Sequence, residues 1–99
     1  LAEAYTDLAL LKMIVLVGPT MAPDGRDYIM SQLLSENDPY QLLALEQRAL
    51  QHVRDGDNDA ALTDLNNILA NETVTQGLRN RAQELIISLG GTLETSSDA

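Results

Sequence analysis

The sequence predicts an all-α protein of stacked antiparallel helical hairpins, about five helices in all, and three observations carry that prediction. Five stretches space their apolar residues by three and four positions, and none alternates apolar with polar residues as a half-buried strand would. Two of the stretches are joined by little more than Gly56-Asp57, where glycine supplies the left-handed backbone that ends a helix. Hydrophobic residues make up 44% of the chain but aromatic ones only 3%, all of them tyrosine. A core of Leu, Ile, Val, Met and Ala suits packed helices better than a β-sandwich. At 99 residues there is material for one modest core.

The first helix is expected over 2–17. Leu1, Ala4, Tyr5, Leu8 and Leu11 share one side of its first half, and 10–17 is apolar nearly all round, as in a helix covered on more than one side. Gly18 and Pro19 stop it, with a loop to Pro23. A second helix over 24–34 has Ile29, Met30, Leu33 and Leu34 as its buried stripe, with Asp24 and Asp27 at the positive end of its dipole. After the polar connection 35–38, Asp38-Pro39 reads as an N-cap followed by proline at the first helical position.

The third helix, 39–55, puts Leu42, Leu43, Leu45, Ala49, Leu50 and Val53 on one broad face, and Gly56 ends it. A fourth, 58–70, buries Ala61, Leu62, Leu65, Ile68 and Leu69. The fifth, 76–89, is capped by Thr75, turns Leu78, Ala82, Leu85, Ile86 and Leu89 inward, and stops at Gly90-Gly91. Residues 1–91 are thus one helical domain, and 92–99 has the composition of a flexible tail. The sequence enters a helical pattern at Leu1, as expected of a piece of a longer protein.

Fifteen acidic against six basic residues give a net charge of −9, which repels nucleic-acid phosphates and anionic lipid. Without cysteine there is no disulfide, thiolate-zinc site or thiol nucleophile. The apolar run 8–17 is half the ~20 residues a membrane-spanning helix needs, and Lys12 interrupts it.

The hairpin around Gly56 resembles a tetratricopeptide repeat. Ala49 matches the small residue of its first helix, Gly56-Asp57 the turn, Ala61 the small residue of the second helix, and Leu65 and Ile68 its packing positions. His52 stands where an aromatic is usual, and Thr73 near the expected terminal proline. A longer resemblance runs through Tyr5-x-Asp7-Leu8-Ala9-Leu10-Leu11-Lys12, Pro39-Tyr40-Gln41-Leu42-Leu43-Ala44-Leu45-Glu46-Gln47-x-Ala49-Leu50, Gly56-Asp57-x-x-Ala60-Ala61-Leu62 and Gly77-Leu78-Arg79-x-Arg81-Ala82-Gln83-Glu84-Leu85. In these the chain is similar to the C-terminal part of the tetratricopeptide-like α-solenoid domain of the ancillary Sec-translocon subunit and cell-division-coordinator family. That resemblance implies an inner-membrane anchor upstream, a position on the periplasmic face, and translocon components or exported chains as partners.

Few residues suggest chemistry. Asp55, Asp57 and Asp59 open like a calcium loop, but Ala60 and Asn66 occupy the positions that need glycine and a bidentate glutamate, so the reading is a helix cap. His52, the only histidine, has Asp55 as its nearest acid in sequence and reads as a packing or surface residue. Glu46 falls between Leu50 and Val53 on the buried face and needs a partner there; Arg81, or Arg79 beside it, is expected to supply one from the fifth helix. Tyr28, Tyr40 and Ile87 lie off their helices' main stripes and are candidate contacts with a partner or with further helices. Asn71-Glu72-Thr73 fits a glycosylation triplet but reads as a loop.

No nucleophile–base pair, metal cluster, cofactor site or phosphate loop is present in the pattern. The sequence therefore implies a non-enzymatic scaffold that binds polypeptide. The alternative is a capping or self-association segment that dimerises through the first helix.

Overall fold

A computed structural model describes residues 2–35 and 38–91, with side chains from Thr6 onward. The predicted side-chain roles of Leu1, Ala4 and Tyr5, and the 92–99 tail, lie outside the described residues. The fold is all-α. Five helices follow one another: α1 (Ala2–Val17), α2 (Pro23–Leu33), α3 (Gln41–Arg54), α4 (Asn58–Ala70) and α5 (Gln76–Ser88), with a short 3-10 turn at Gly18–Thr20. α1 pairs with α2 and α3 with α4 as hairpins, and α5 packs on α4. The particle measures 45 × 31 × 18 Å.

The ends of the helices follow from local chemistry. Pro23 sits in the first turn of α2, where its missing N–H costs nothing, so the helix opens at the proline and not at Asp24. Arg26 reaches back to the carbonyls of Gly18 and Met21 at 3.1 and 3.4 Å and ties down the loop before α2. Asp38 accepts from the Tyr40 N–H at 2.8 Å, but this bond closes a turn ahead of the helix and is not the helix cap expected of it. α3 begins at Gln41, two residues later than the proline suggested, with Tyr40 at its N-cap and no side-chain capping bond.

α3 ends in a Schellman motif. Gly56, at φ 82°, donates to the Val53 carbonyl at 3.0 Å and Asp57 to the His52 carbonyl at 2.8 Å. Asp57 then caps α4 through its side chain, accepting from the Ala60 N–H at 3.1 Å. Thr75 caps α5 in the same way, from Leu78 N–H at 3.2 Å. The motif of Gly56 recurs at Gly90-Gly91, whose amides donate to Ile87 and Ile86 at 3.0 Å each.

Two apolar clusters meet at α3. Ala49, Ala61, Leu65, Ile68, Leu78, Ala82 and Ile86 form one, between α3, α4 and α5. Leu11, Ile14, Met30, Leu33 and Ala44 form the other, between α1, α2 and α3. Fully burying each of the large side chains contributes roughly 1.5–3 kcal/mol. The alanines act differently: Ala44, Ala49, Ala61 and Ala82 are nearly or wholly buried and let neighbouring backbones come close.

The broad face drawn for α3 needs correction. Leu43 is 36% exposed, while Ala44, outside that face, is fully buried against α1 and α2. A helix packed on two sides has no single stripe.

Two glycines predict opposite responses to the same change. A Cβ on Gly91 would lie 3.0 Å from both Ile86 Cγ2 and Leu62 Cδ2 and 3.2 Å from a backbone oxygen, whereas one on Gly25, inside α2, meets only the tip of Met21 at 3.9 Å. Gly91→Ala is expected to destabilise by about 1–2 kcal/mol and Gly25→Ala to stabilise by about 0.5–1 kcal/mol in urea unfolding. Equal signs would show that the packing at Gly91 is not as described.

Candidate functional site

The α3–α4 hairpin carries the most buried charge among the described residues. Asp64 is 3% exposed, in the middle of the α4 stripe formed by Ala61, Leu65 and Ile68. Such a carboxylate is costly to bury unless it is paired and hydrogen-bonded. Arg48, on the facing side of α3, meets it with both prongs of its guanidinium: Nε donates to Oδ2 at 2.9 Å and Nη2 to Oδ1 at 2.7 Å. One turn on, His52 Nε2 lies 3.5 Å from Oδ2. The Asp64 hydrogen bonds, reinforced by its charge, hold the Arg48 guanidinium above its ordinary value, against the opposing effect of burial.

Sequence reading missed this cluster. His52, read as a packing or surface residue, lies against Asp64 across the hairpin, while Asp55, its nearest acid in sequence, sits past the end of α3 and accepts from Gln51 at 3.0 Å. The signal was present. Residues 61, 64, 65 and 68 share one helical face, so the argument that singled out Glu46 applies equally to Asp64.

Glu46 itself reaches α5. Arg81 Nε donates to Oε2 at 2.8 Å and Nη2 to Oε1 at 3.1 Å, so Arg81 and not Arg79 is the partner. The Glu46 side chain is largely covered, but that of Arg81 is 53% exposed, so solvent screens this pair far more than the one at Asp64. Hydrogen bonding to Glu46, then its charge, raises the Arg81 pKa. A raised pKa gives stability that is whole below the ordinary arginine range and lost only as pH rises through it. The arginine side of neither pair therefore adds pH dependence between acid and neutral conditions.

Beside the hairpin runs a groove made of two adjoining cavities. One, of about 340 Å³, is lined by Asp38, Pro39, Leu43, Thr73, Thr75 and Leu78; the other, of about 390 Å³, by Leu34, Leu45, Arg48 and Asn67. Gln41, Leu42 and Asn71 line both. Leucines and Pro39 form the apolar lining, and carboxamides, hydroxyls and the charged Asp38 and Arg48 the polar one.

The groove's polar groups are partly committed. Asn71 Oδ1 accepts from the Thr73 N–H and hydroxyl at 2.8 and 2.6 Å, which makes the triplet a tight turn. Gln41 Nε2 donates to the Leu34 carbonyl at 3.1 Å. Asn67 is exposed, and no hydrogen bond engages its side chain among the described residues.

The remaining candidates separate. Asp55, Asp57 and Asp59 act at helix ends, and among the described residues no group of three or more acids or histidines is arranged to hold a metal. Tyr28 and Ile87 are exposed, but Tyr40 is not free for a partner: it packs on the α1–α2–α3 cluster. No described helix is long and apolar enough to cross a membrane. Comparison with known proteins finds no family model, no characterised protein and no solved structure that matches the chain.

Two double-mutant cycles separate the ion pairs. Arg48→Met leaves Asp64 buried without its main partner and is expected to cost about 2–4 kcal/mol, toward the lower part of the range for buried pairs because Arg48 is itself 39% exposed. Adding Asp64→Leu to Arg48→Met should restore much of that loss; a double variant no better than the sum of its singles argues against the pair. For Glu46→Gln and Arg81→Gln the expected coupling is only about 0.5 kcal/mol, and strict additivity would mean that no pair forms in solution.

Proposed function

We propose that the protein is a non-catalytic interaction module that holds a segment of another polypeptide in the groove between the start of α3 and the α4–α5 connection. One observation carries the reading: the two cavities share Gln41, Leu42 and Asn71 and so make a single groove, apolar in its leucines and polar in its carboxamides. Of these, the Asn67 carboxamide, engaged by no hydrogen bond among the described residues, presents a donor and an acceptor side by side, the complement of a peptide group's own acceptor and donor. The leucines take apolar side chains, and the cavity sizes fall in the range of natural ligand sites. The charged lining groups are already engaged, Arg48 with Asp64 and Asp38 with the Tyr40 amide, which supports binding over proton transfer.

On the resemblance to the ancillary translocon family, the partner class is translocon components or chains in export, and the place is the periplasmic face of the bacterial inner membrane. The acidic surface favours partners with basic or mixed charge.

A photo-crosslinking residue at Asn67 in the full-length protein, activated in the native cell envelope and read by mass spectrometry, tests both parts. Translocon subunits or newly exported chains should be captured at Asn67 and much less at Tyr28, which is exposed elsewhere. Equal capture at the two positions, or capture at Asn67 of the protein's own chain alone, would overturn the groove reading.

A further inference from the structure

The groove carries opposite charges in its two cavities, Asp38 in the one at the start of α3 and Arg48 in the other. Each is only partly engaged. Asp38 accepts from the Tyr40 N–H through Oδ1, and no described residue donates to its Oδ2. Arg48 gives Nε and Nη2 to Asp64, while Nη1 makes no bond among the described residues and the side chain is 39% exposed. One end therefore keeps an anionic acceptor for a ligand, and the other a cationic donor.

Asn71, which lines both cavities, supplies a neutral donor between them. Thr73 donates to its Oδ1 from both the N–H and the hydroxyl. A backbone N–H can only donate, so the Asn71 oxygen faces the turn and its NH2 is the group left for a ligand. That group suits a carbonyl oxygen.

Helix geometry sets the spacing. Arg48 lies seven residues beyond Gln41, or about 10 Å along α3 at ~1.5 Å per residue. A polyproline II segment rises ~3.1 Å per residue with about three residues per turn, so side chains three apart stand on one side at that same separation. Building on the groove as the binding site, we propose that its ligand is an extended segment of a partner chain with a basic and an acidic side chain three residues apart. The base pairs with Asp38, the acid with Arg48, and a carbonyl between them takes the Asn71 NH2.

Charge narrows the occupant. With −9 on the chain, a purely acidic segment is repelled, and a purely basic one is drawn to the whole surface without preference for this groove. A segment carrying both signs is nearly indifferent to the overall field, and the two local contacts fix its place. The chain's own residues 92–99 hold Glu94 and Asp98 but no base, so they do not fit.

The test presents the fluorescently labelled 99-residue chain to immobilised pools of hexapeptides, random except at two fixed positions. Pools with Lys and Glu three apart, in either order, should retain about fivefold more protein than pools with Lys and Glu adjacent, two Lys or two Glu. Asp38→Asn keeps an acceptor for the Tyr40 amide but removes the charge, and should abolish the advantage of Lys over Gln while leaving that of Glu over Gln. Asn67→Asp, an exposed position in the cavity of Arg48, should do the reverse, with the helical circular dichroism unchanged in both variants. Equal retention by spaced and adjacent pools, strongest retention by the two-lysine pool, or variants that weaken every pool alike would overturn the charge pattern and leave the groove as the binding site. No retention by any pool, or retention that neither variant alters, would overturn both.

Discussion

The close approach of α3 to α4 is the constraint on which the other features rest. Ala49 and Ala61 are both fully buried where the two helices meet, and a larger side chain at either would hold the backbones apart. The turn at Gly56 sets the reversal, with two backbone bonds closing the end of α3 before Asp57 opens α4. Held this way, Arg48 and Asp64 face each other at bidentate distance, and Leu78, Ala82 and Ile86 of α5 complete the same cluster as Ala49, Ala61, Leu65 and Ile68. The groove depends on the same geometry, since its lining comes from the start of α3 and the end of α4.

The two ion pairs show how environment changes the meaning of similar geometry. Both are bidentate, with the shorter contacts at 2.7 and 2.8 Å. Asp64, however, is sealed in an apolar stripe, so any sliding of α3 along α4 would strand a carboxylate away from solvent. That pair resists a change of register whatever its net contribution to stability. Glu46 and Arg81 stand at the edge of the gap between α3 and α5, in a shallow depression with Leu50, Glu84 and Leu85, where water can replace either partner.

Much of the fold was legible because its signals are local. Periodicity placed all five helices; Gly56, Gly90, Asp57 and Thr75 marked ends whose capping bonds are present. The candidate site was less legible. Glu46 could be picked out as a carboxylate on a buried face, but choosing Arg81 over Arg79 needs the rotation of α5, which no local pattern encodes. Asp64 was overlooked although its spacing is equally regular, because its stripe was scored on apolar residues alone. Leu43 and Ala44 were misjudged for a tertiary reason: α3 is covered from two sides, and single-stripe periodicity cannot represent that. The groove joins residues some thirty positions apart in the chain, so it exists only in the folded molecule.

α3 contributes Ala44 to one apolar cluster and Ala49 to the other, and so serves as a party wall between them. Residues of α1 and α2 have α3 as their main link to the cluster on its far side. Sequence change can therefore accumulate on the α1–α2 side, even to the point of giving that side a new occupant, without retuning the packing of α4 and α5. In such an architecture one half can diversify while the other is held constant, and the helix that must satisfy both halves is the one least free to vary.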